Sequence, residues 1–257
     1  MRGMKRGLLL LLVPLFVLTV VIMRQDSPKH SAVRGVILPH HLVAEDMIVE
    51  VLASFDSSHI KRIILIGPNH VERGGHTALL PGVNWEIEGE RFTLDQERLS
   101  ELQEEGVIMR DDAAVMAEHA ISVPLPFIQD VMPGVKILPI ILSENQSIER
   151  LQTLGKRLAP DEQTLIIASI DFSHYLSLDQ ANINDEATRT LISDWDYAGL
   201  YDLNSDYLDS SSAMIAFLAA MEAAGAADSQ VINHSNSALI LGAGYDYTTS
   251  YFTMIFR

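Results

Sequence analysis

Two rhythms of apolar residues alternate along this chain. Val33 to Leu38, Ile60 to Ile66, Val135 to Leu142, Thr164 to Ile170 and Ser250 to Phe256 are short runs rich in β-branched residues and read as strands. Most are apolar throughout, which suits strands covered on both faces; one-sided antiparallel sheets alternate. Between them, Val43 to Ser54, Leu94 to Glu105, Ile148 to Leu158, Asn182 to Ser193 and Ser211 to Ala224 carry helical periodicity or composition. The pattern predicts an α/β class: a single domain over 33–257, with a mostly buried central sheet flanked by helices.

The first 24 residues follow neither rhythm. Arg2, Lys5 and Arg6 precede Gly7 to Met23, a stretch without a charge, and Arg24 closes it. Such a segment sits at the short end of what spans a bilayer and beyond the apolar core of most cleaved signals. Leu18 to Met23 offers no small-residue cleavage pattern, so an uncleaved N-terminal transmembrane helix is expected rather than a signal sequence. Basic residues stay on the cytoplasmic side, which predicts a single-pass protein of the cell membrane with its domain extracytoplasmic. Residues 25–32, polar and holding Pro28, read as the linker.

Charge and cysteine usage narrow the chemistry. Of 18 basic residues four belong to the N-terminal segment, leaving 14 against 34 acidic ones, a net charge near −20 outside the membrane. Nucleic acid and anionic lipid are therefore poor partners. The chain has no cysteine, which excludes disulfides, thiolate ligands and a cysteine nucleophile.

Three strand candidates end alike: Leu38-Pro39-His40-His41, Gly67-Pro68-Asn69-His70 and Ile170-Asp171-Phe172-Ser173-His174. Ligands of open α/β sheets sit outside the carboxyl ends of the strands, so these histidines are expected to converge. Any one of them alone reads more readily as a loop or core residue; the repetition is the signal. His30, His59, His76 and His234 lack this placement and are read as structural. A fourth segment, Glu118-His119-Ala120-Ile121, pairs an acid with a histidine ahead of an apolar helix or turn, which is equally the pattern of a helix cap.

Taken together, the four segments Leu38-Pro39-His40, Gly67-Pro68-Asn69-His70, Glu118-His119-Ala120-Ile121 and Ser169-Ile170-Asp171-Phe172-Ser173-His174 resemble, in order and spacing, the Memo-like family, the B component of the AmmeMemoRadiSam system. The resemblance runs from about residue 33 to the C-terminus. It implies a fold similar to class III extradiol dioxygenases and a mononuclear divalent-metal site, with Fe(II) favoured and Zn(II) or Mn(II) as alternatives. The implied ligands are His40, His70 and a third residue, cysteine in some members, whose place falls in Tyr207-Leu208-Asp209-Ser210-Ser211-Ser212.

Asp209 is the candidate replacement, since two histidines and a carboxylate make a facial triad for Fe(II). Asp followed by serines before an apolar helix is equally an N-cap signature. Asp171, His174, Glu118 and His119 then read as acid–base or orienting residues. The chain departs from the family pattern at Ser122 and Pro124, and has Asp209 and Ser212 where many members carry Cys and His. The expected function is a dioxygenase-like oxidoreductase acting on a small molecule, or a non-catalytic module holding a peptide or effector in the same pocket. Radical-SAM and AMMECR1-like partners are implied by the resemblance, and they are cytoplasmic in kind.

Overall fold

The fold is described from a computed structural model over residues 32–257, except 76–77, 88–89, 105, 107, 145 and 243–245. The expected membrane segment and most of the linker lie outside the described residues, as do His30 and His76.

The described residues form ten strands: β1 Gly35–Leu38, β2 Arg62–Pro68, β3 Ala78–Leu80, β4 Trp85–Ile87, β5 Glu90–Phe92, β6 Met109–Arg110, β7 Lys136–Leu142, β8 Thr164–Ser169, β9 Ser229–Asn236 and β10 Ser250–Phe256. Eight form one sheet in the order β6-β3-β7-β2-β8-β1-β10-β9, while β4 and β5 make a separate antiparallel pair. The four central strands β7, β2, β8 and β1 run parallel, with Leu65 opposite both Pro139 and Ile167 and Leu38 opposite Ser169. Antiparallel pairings β7–β3, β1–β10 and β10–β9 lie toward the two edges. The five expected strands are all in this sheet and are buried almost end to end. The strands not foreseen are two- or three-residue pieces, or β9, whose Ser-Gln-Val-Ile-Asn-His-Ser-Asn composition is that of a half-exposed edge.

The helices are α1 Glu45–Ala53, α2 Gln96–Glu104, α3 Asp112–Met116, α4 His119–Ser122, α5 Pro124–Val131, α6 Ile148–Leu158, α7 Leu178–Ser193, α8 Tyr197–Tyr201, α9 Ser211–Ala223 and α10 Ser237–Leu241. Two expected boundaries move for visible reasons. Leu94 is not helical, because it bridges in parallel to Ile137. Conversely, α7 starts at Leu178, ahead of Asn182, because the Ser177 side chain accepts from the Gln180 amide and caps it.

Helix α9 is buried from Ser211 through Met221, so it shows no polar face in sequence. It packs on α6 and against β2, β7 and β8. Close approach is needed: a Cβ on Gly155 of α6 would lie 2.3 Å from the Ala216 carbonyl oxygen, and one on Gly35 of β1 would lie 2.3 Å from Met221 Sδ. A second helical group, α1, α4 and α5, lies against β1 and β2. Among the described residues no helix is long and apolar enough to cross a membrane.

Candidate metal centre

Because β7, β2, β8 and β1 are parallel neighbours, their carboxyl ends share one edge. The residues that follow them, Glu144, His70, Asp171 with His174, and His40, are delivered there together. The convergence expected from the repeated strand endings is therefore present.

His40 is almost wholly buried. Its backbone amide donates to Asp171 Oδ1 at 3.1 Å, and its Nδ1 pairs with Ser169 Oγ at 3.2 Å. That leaves Nε2 facing Asp209 Oδ2 at 3.0 Å and Asp171 Oδ2 at 3.8 Å. His70 is built the same way. Its amide donates to Glu118 Oε2 at 3.0 Å and its Nδ1 bonds Glu118 Oε1 at 2.7 Å, so Nε2 again faces Asp209 Oδ2, at 3.7 Å. Glu118 also accepts from the Ala120 amide and so caps α4 while it holds His70. His119 Nδ1 lies 3.1 Å from the same Glu118 oxygen, and its ring stacks on His70 with centroids 4.3 Å apart. His40, His70 and His119 offer ligand atoms within 4.8 Å of one another and could hold a metal ion.

Asp209 is not the helix cap. Ser210, not Asp209, is the N-cap of α9, its hydroxyl accepting from the Ala213 amide at 3.0 Å. The Asp209 side chain, 5 % exposed, turns to the histidines instead. An isolated antiparallel bridge, Phe172 to Leu208, sets it there: the Asp209 amide donates to the Asp171 carbonyl at 3.1 Å, and the Asp171 amide donates to Asp209 Oδ2 at 3.2 Å.

Burial and charge divide the titrating groups. Burial opposes charge on His40, but Asp171 and Asp209 outweigh it and raise its pKa. Burial likewise opposes charge on His70, yet hydrogen bonds to Asp209 and Glu118 push it up to about 10. Glu118 and Asp209 are held well below the usual carboxylate range, burial notwithstanding, by the histidines they face. Asp171 moves the other way, since burial and the neighbouring Asp209 charge favour its neutral form.

A cavity of about 430 Å³ opens beside this cluster, with His70, Asp209 and His174 in its wall. His174 Nδ1 is buried without a hydrogen-bond partner. Glu144, which the sequence reading passed over, also lines it, held by Ser210 Oγ at 2.7 Å. Its signal was present: Ser143-Glu144 follows the Ile140-Ile141-Leu142 run just as the histidines follow theirs. Two other described histidines have partners of their own. His41 pairs with Tyr251, and His234 Nε2 bonds the buried Asp185 at 2.7 Å, whose other oxygen takes the hydroxyls of Ser173 and Ser250.

A parallel-centred α/β sheet with a histidine–carboxylate cluster at its strand ends defines the class of the domain. The Memo-like protein family model matches residues 17–255, and the chain belongs to that family. A MEMO1 family protein of Thermoplasma volcanium is 26 % identical over 237 residues, covering 90 % of this chain and 88 % of its own. Another, from Methanopyrus kandleri, is 26 % identical over 212 residues, 79 % of this chain and 74 % of its own. The crystal structure of the uncharacterized protein JW3007 from Escherichia coli K12 shares the fold. Its TM-score is 0.56 at 10 % identity, covering 87 % of this chain and 99 % of that one.

Proposed function

We propose that this is a membrane-anchored Memo-like protein whose strand-end cluster binds one divalent metal through His40 Nε2, His70 Nε2 and Asp209 Oδ2. The observation that carries the reading is the convergence of two Nε2 atoms, each with its Nδ1 already engaged, on one carboxylate oxygen at 3.0 and 3.7 Å. Ligands each about 2.1 Å from a shared metal stand about 3–3.4 Å apart, so little movement is required. The buried, unpartnered Asp209 Oδ1 fits a carboxylate that has not found all its partners within the protein.

Two histidines and a carboxylate on one face favour Fe(II), with Zn(II) or Mn(II) as alternatives, and leave coordination positions open. When bound, the metal supplies a Lewis acid and, as iron, an electron source for oxidative chemistry. The chain's own residues do the rest. Glu118 fixes the tautomer of His70. Asp171 orients the His40 backbone, and His174, in the cavity wall, is placed to give or take a proton from a small molecule bound there. His119 stands beside His70 as a further donor on the exposed side. The function supported best is an oxidoreductase of the non-haem-iron type acting on a small molecule.

The anchor reading rests on Gly7 to Met23 and the basic residues before it. It puts the domain across the membrane from radical-SAM and AMMECR1-like proteins, and we favour the anchor over that partnership.

The test is metal content by mass spectrometry on protein purified without chelator or polyhistidine tag, beside a His40→Ala/His70→Ala variant. Near-stoichiometric iron, zinc or manganese, lost in the variant, is expected. No metal in either, even after anaerobic reconstitution with Fe(II), would overturn the reading and leave a peptide- or effector-binding module.

A further inference from the structure

We infer that the cavity beside the histidine cluster is a subsite for a ligand joining a protonated amine to an apolar body. The inference rests on the reading of this cavity as the substrate pocket and narrows it to a substrate class.

The cavity of about 430 Å³ adjoins a second of about 310 Å³, and the two share Glu144, Ser205 and Asp209 in their walls. Glu72 and Asp206 add two carboxylates to the larger one, and neither wall includes a lysine or arginine. In so acidic a protein, surface carboxylates are ordinary. What separates these is burial and want of partners. The Asp209 side chain is 5 % exposed; its Oδ2 faces His40 and His70 and takes the Asp171 amide, while its buried Oδ1 has no partner. Among the described residues Glu144 is held by neutral donors, Ser210 Oγ at 2.7 Å and Ser212 Oγ at 3.5 Å, while its own amide donates to Glu72 Oε1 at 2.9 Å. Glu72 and Glu144 are thus drawn together, and among the described residues neither has a lysine or arginine partner, an arrangement that a positively charged ligand relieves.

The shape of the cluster distinguishes an ammonium from a second metal ion. His40, His70 and His119 bring three ligating atoms within 4.8 Å of one another; Glu72, Glu144 and Asp206 form no such group among the described residues. Carboxylates spread around a cavity suit the three diverging donors of an ammonium, whereas a metal needs them convergent. Pro68, Leu176 and Tyr175 add apolar and aromatic surface to the same wall. Tyr175 is 79 % exposed at a left-handed φ of 55°, so its ring stands free to cover an apolar group or the face of a cation.

The experiment is calorimetric titration of the full-length chain in detergent with phenethylamine, its neutral isostere 2-phenylethanol and the anion 3-phenylpropionate, in chelator-treated and Fe(II)-loaded protein. Phenethylamine is expected to bind at least about tenfold more tightly than the other two in both forms, and to weaken with salt. Glu144→Gln and, separately, the exposed rim substitution Asp206→Asn, which leaves the core untouched, are each expected to cut that preference several-fold. A preference that persists in protein unable to hold metal keeps this inference and removes only the metal reading. Equal or tighter binding of the alcohol or the anion, or no binding of phenethylamine, overturns the inference. So does amine binding that strengthens with pH, vanishes in His40→Ala/His70→Ala and survives Asp206→Asn, because that is ligation of the metal by the free amine.

Discussion

Glu118 grips His70 twice: Oε2 accepts from the His70 backbone amide at 3.0 Å and Oε1 from its Nδ1 at 2.7 Å. One carboxylate thus sets both the position of the loop and the tautomer of the ring, pointing Nε2 toward Asp209. Converting Glu118 to Gln keeps the size but offers one acceptor instead of two. We expect metal affinity to fall by roughly 10- to 100-fold, read by competition against a chromophoric chelator, with the fold retained by circular dichroism. Unchanged affinity would mean that His70 is not a ligand.

The same pair gives the metal-free protein a pH signature. His70 titrates at about 10 instead of 6.5, because its hydrogen bonds to Asp209 and Glu118 overcome the penalty of burial. A raised histidine stabilises the fold fully below 6.5 and loses that contribution as pH climbs through about 10. Thermal melts of chelator-treated protein should therefore decline across that window.

Metal binding must expel the His70 proton, and that of His40 where it is still held, so affinity should move the opposite way, rising by at least about tenfold per pH unit over the same window. Chelator competition at several pH values checks it. A flat profile would show that the bound metal does not contact His70.

Helices α6 and α9 meet at Gly155, where an added Cβ would lie 2.3 Å from the Ala216 carbonyl oxygen and 2.6 Å from Ala219 Cβ. The obstacle is backbone, which cannot rotate away. Gly155→Val should cost roughly 1–3 kcal/mol in denaturant titration. Since α9 begins beside Asp209, metal content should fall with it.

The N-terminal segment predicts its own topology. An alkaline-phosphatase fusion after Arg257 should be active, and the protein should stay with membranes through a carbonate wash. Activity of a cytoplasmic reporter at the same junction would place the domain on the other side and restore the radical-SAM and AMMECR1-like partners.

The central strands were legible because burial on both faces leaves an unbroken apolar run, and Ser250 to Phe256 and Ile148 to Leu158 are bounded as their composition predicts. The histidine endings of β1, β2 and β8 were legible for the same reason: chain direction in a parallel sheet carries each to one edge. Short strands such as Met109–Arg110 carry too few residues for any period, and polar β9 is held by pairing with β10 rather than by burial.

What the sequence alone determined is the family, the α/β class and the set of histidines brought to one edge, all properties of local pattern and strand direction. What only the tertiary structure decided is the task of each acid. Asp209 and Ser210 are both good caps in isolation, and nothing local chooses between them. The choice is made by the Phe172–Leu208 bridge, which joins segments distant in sequence and turns Asp209 away from the helix end toward His40. Glu144 is the same case, an ordinary acid after a strand until the neighbouring strands and the start of α9 close around it. Hydrogen-bonding partners far apart in sequence are set by packing, and packing has no signature within the segment it acts on.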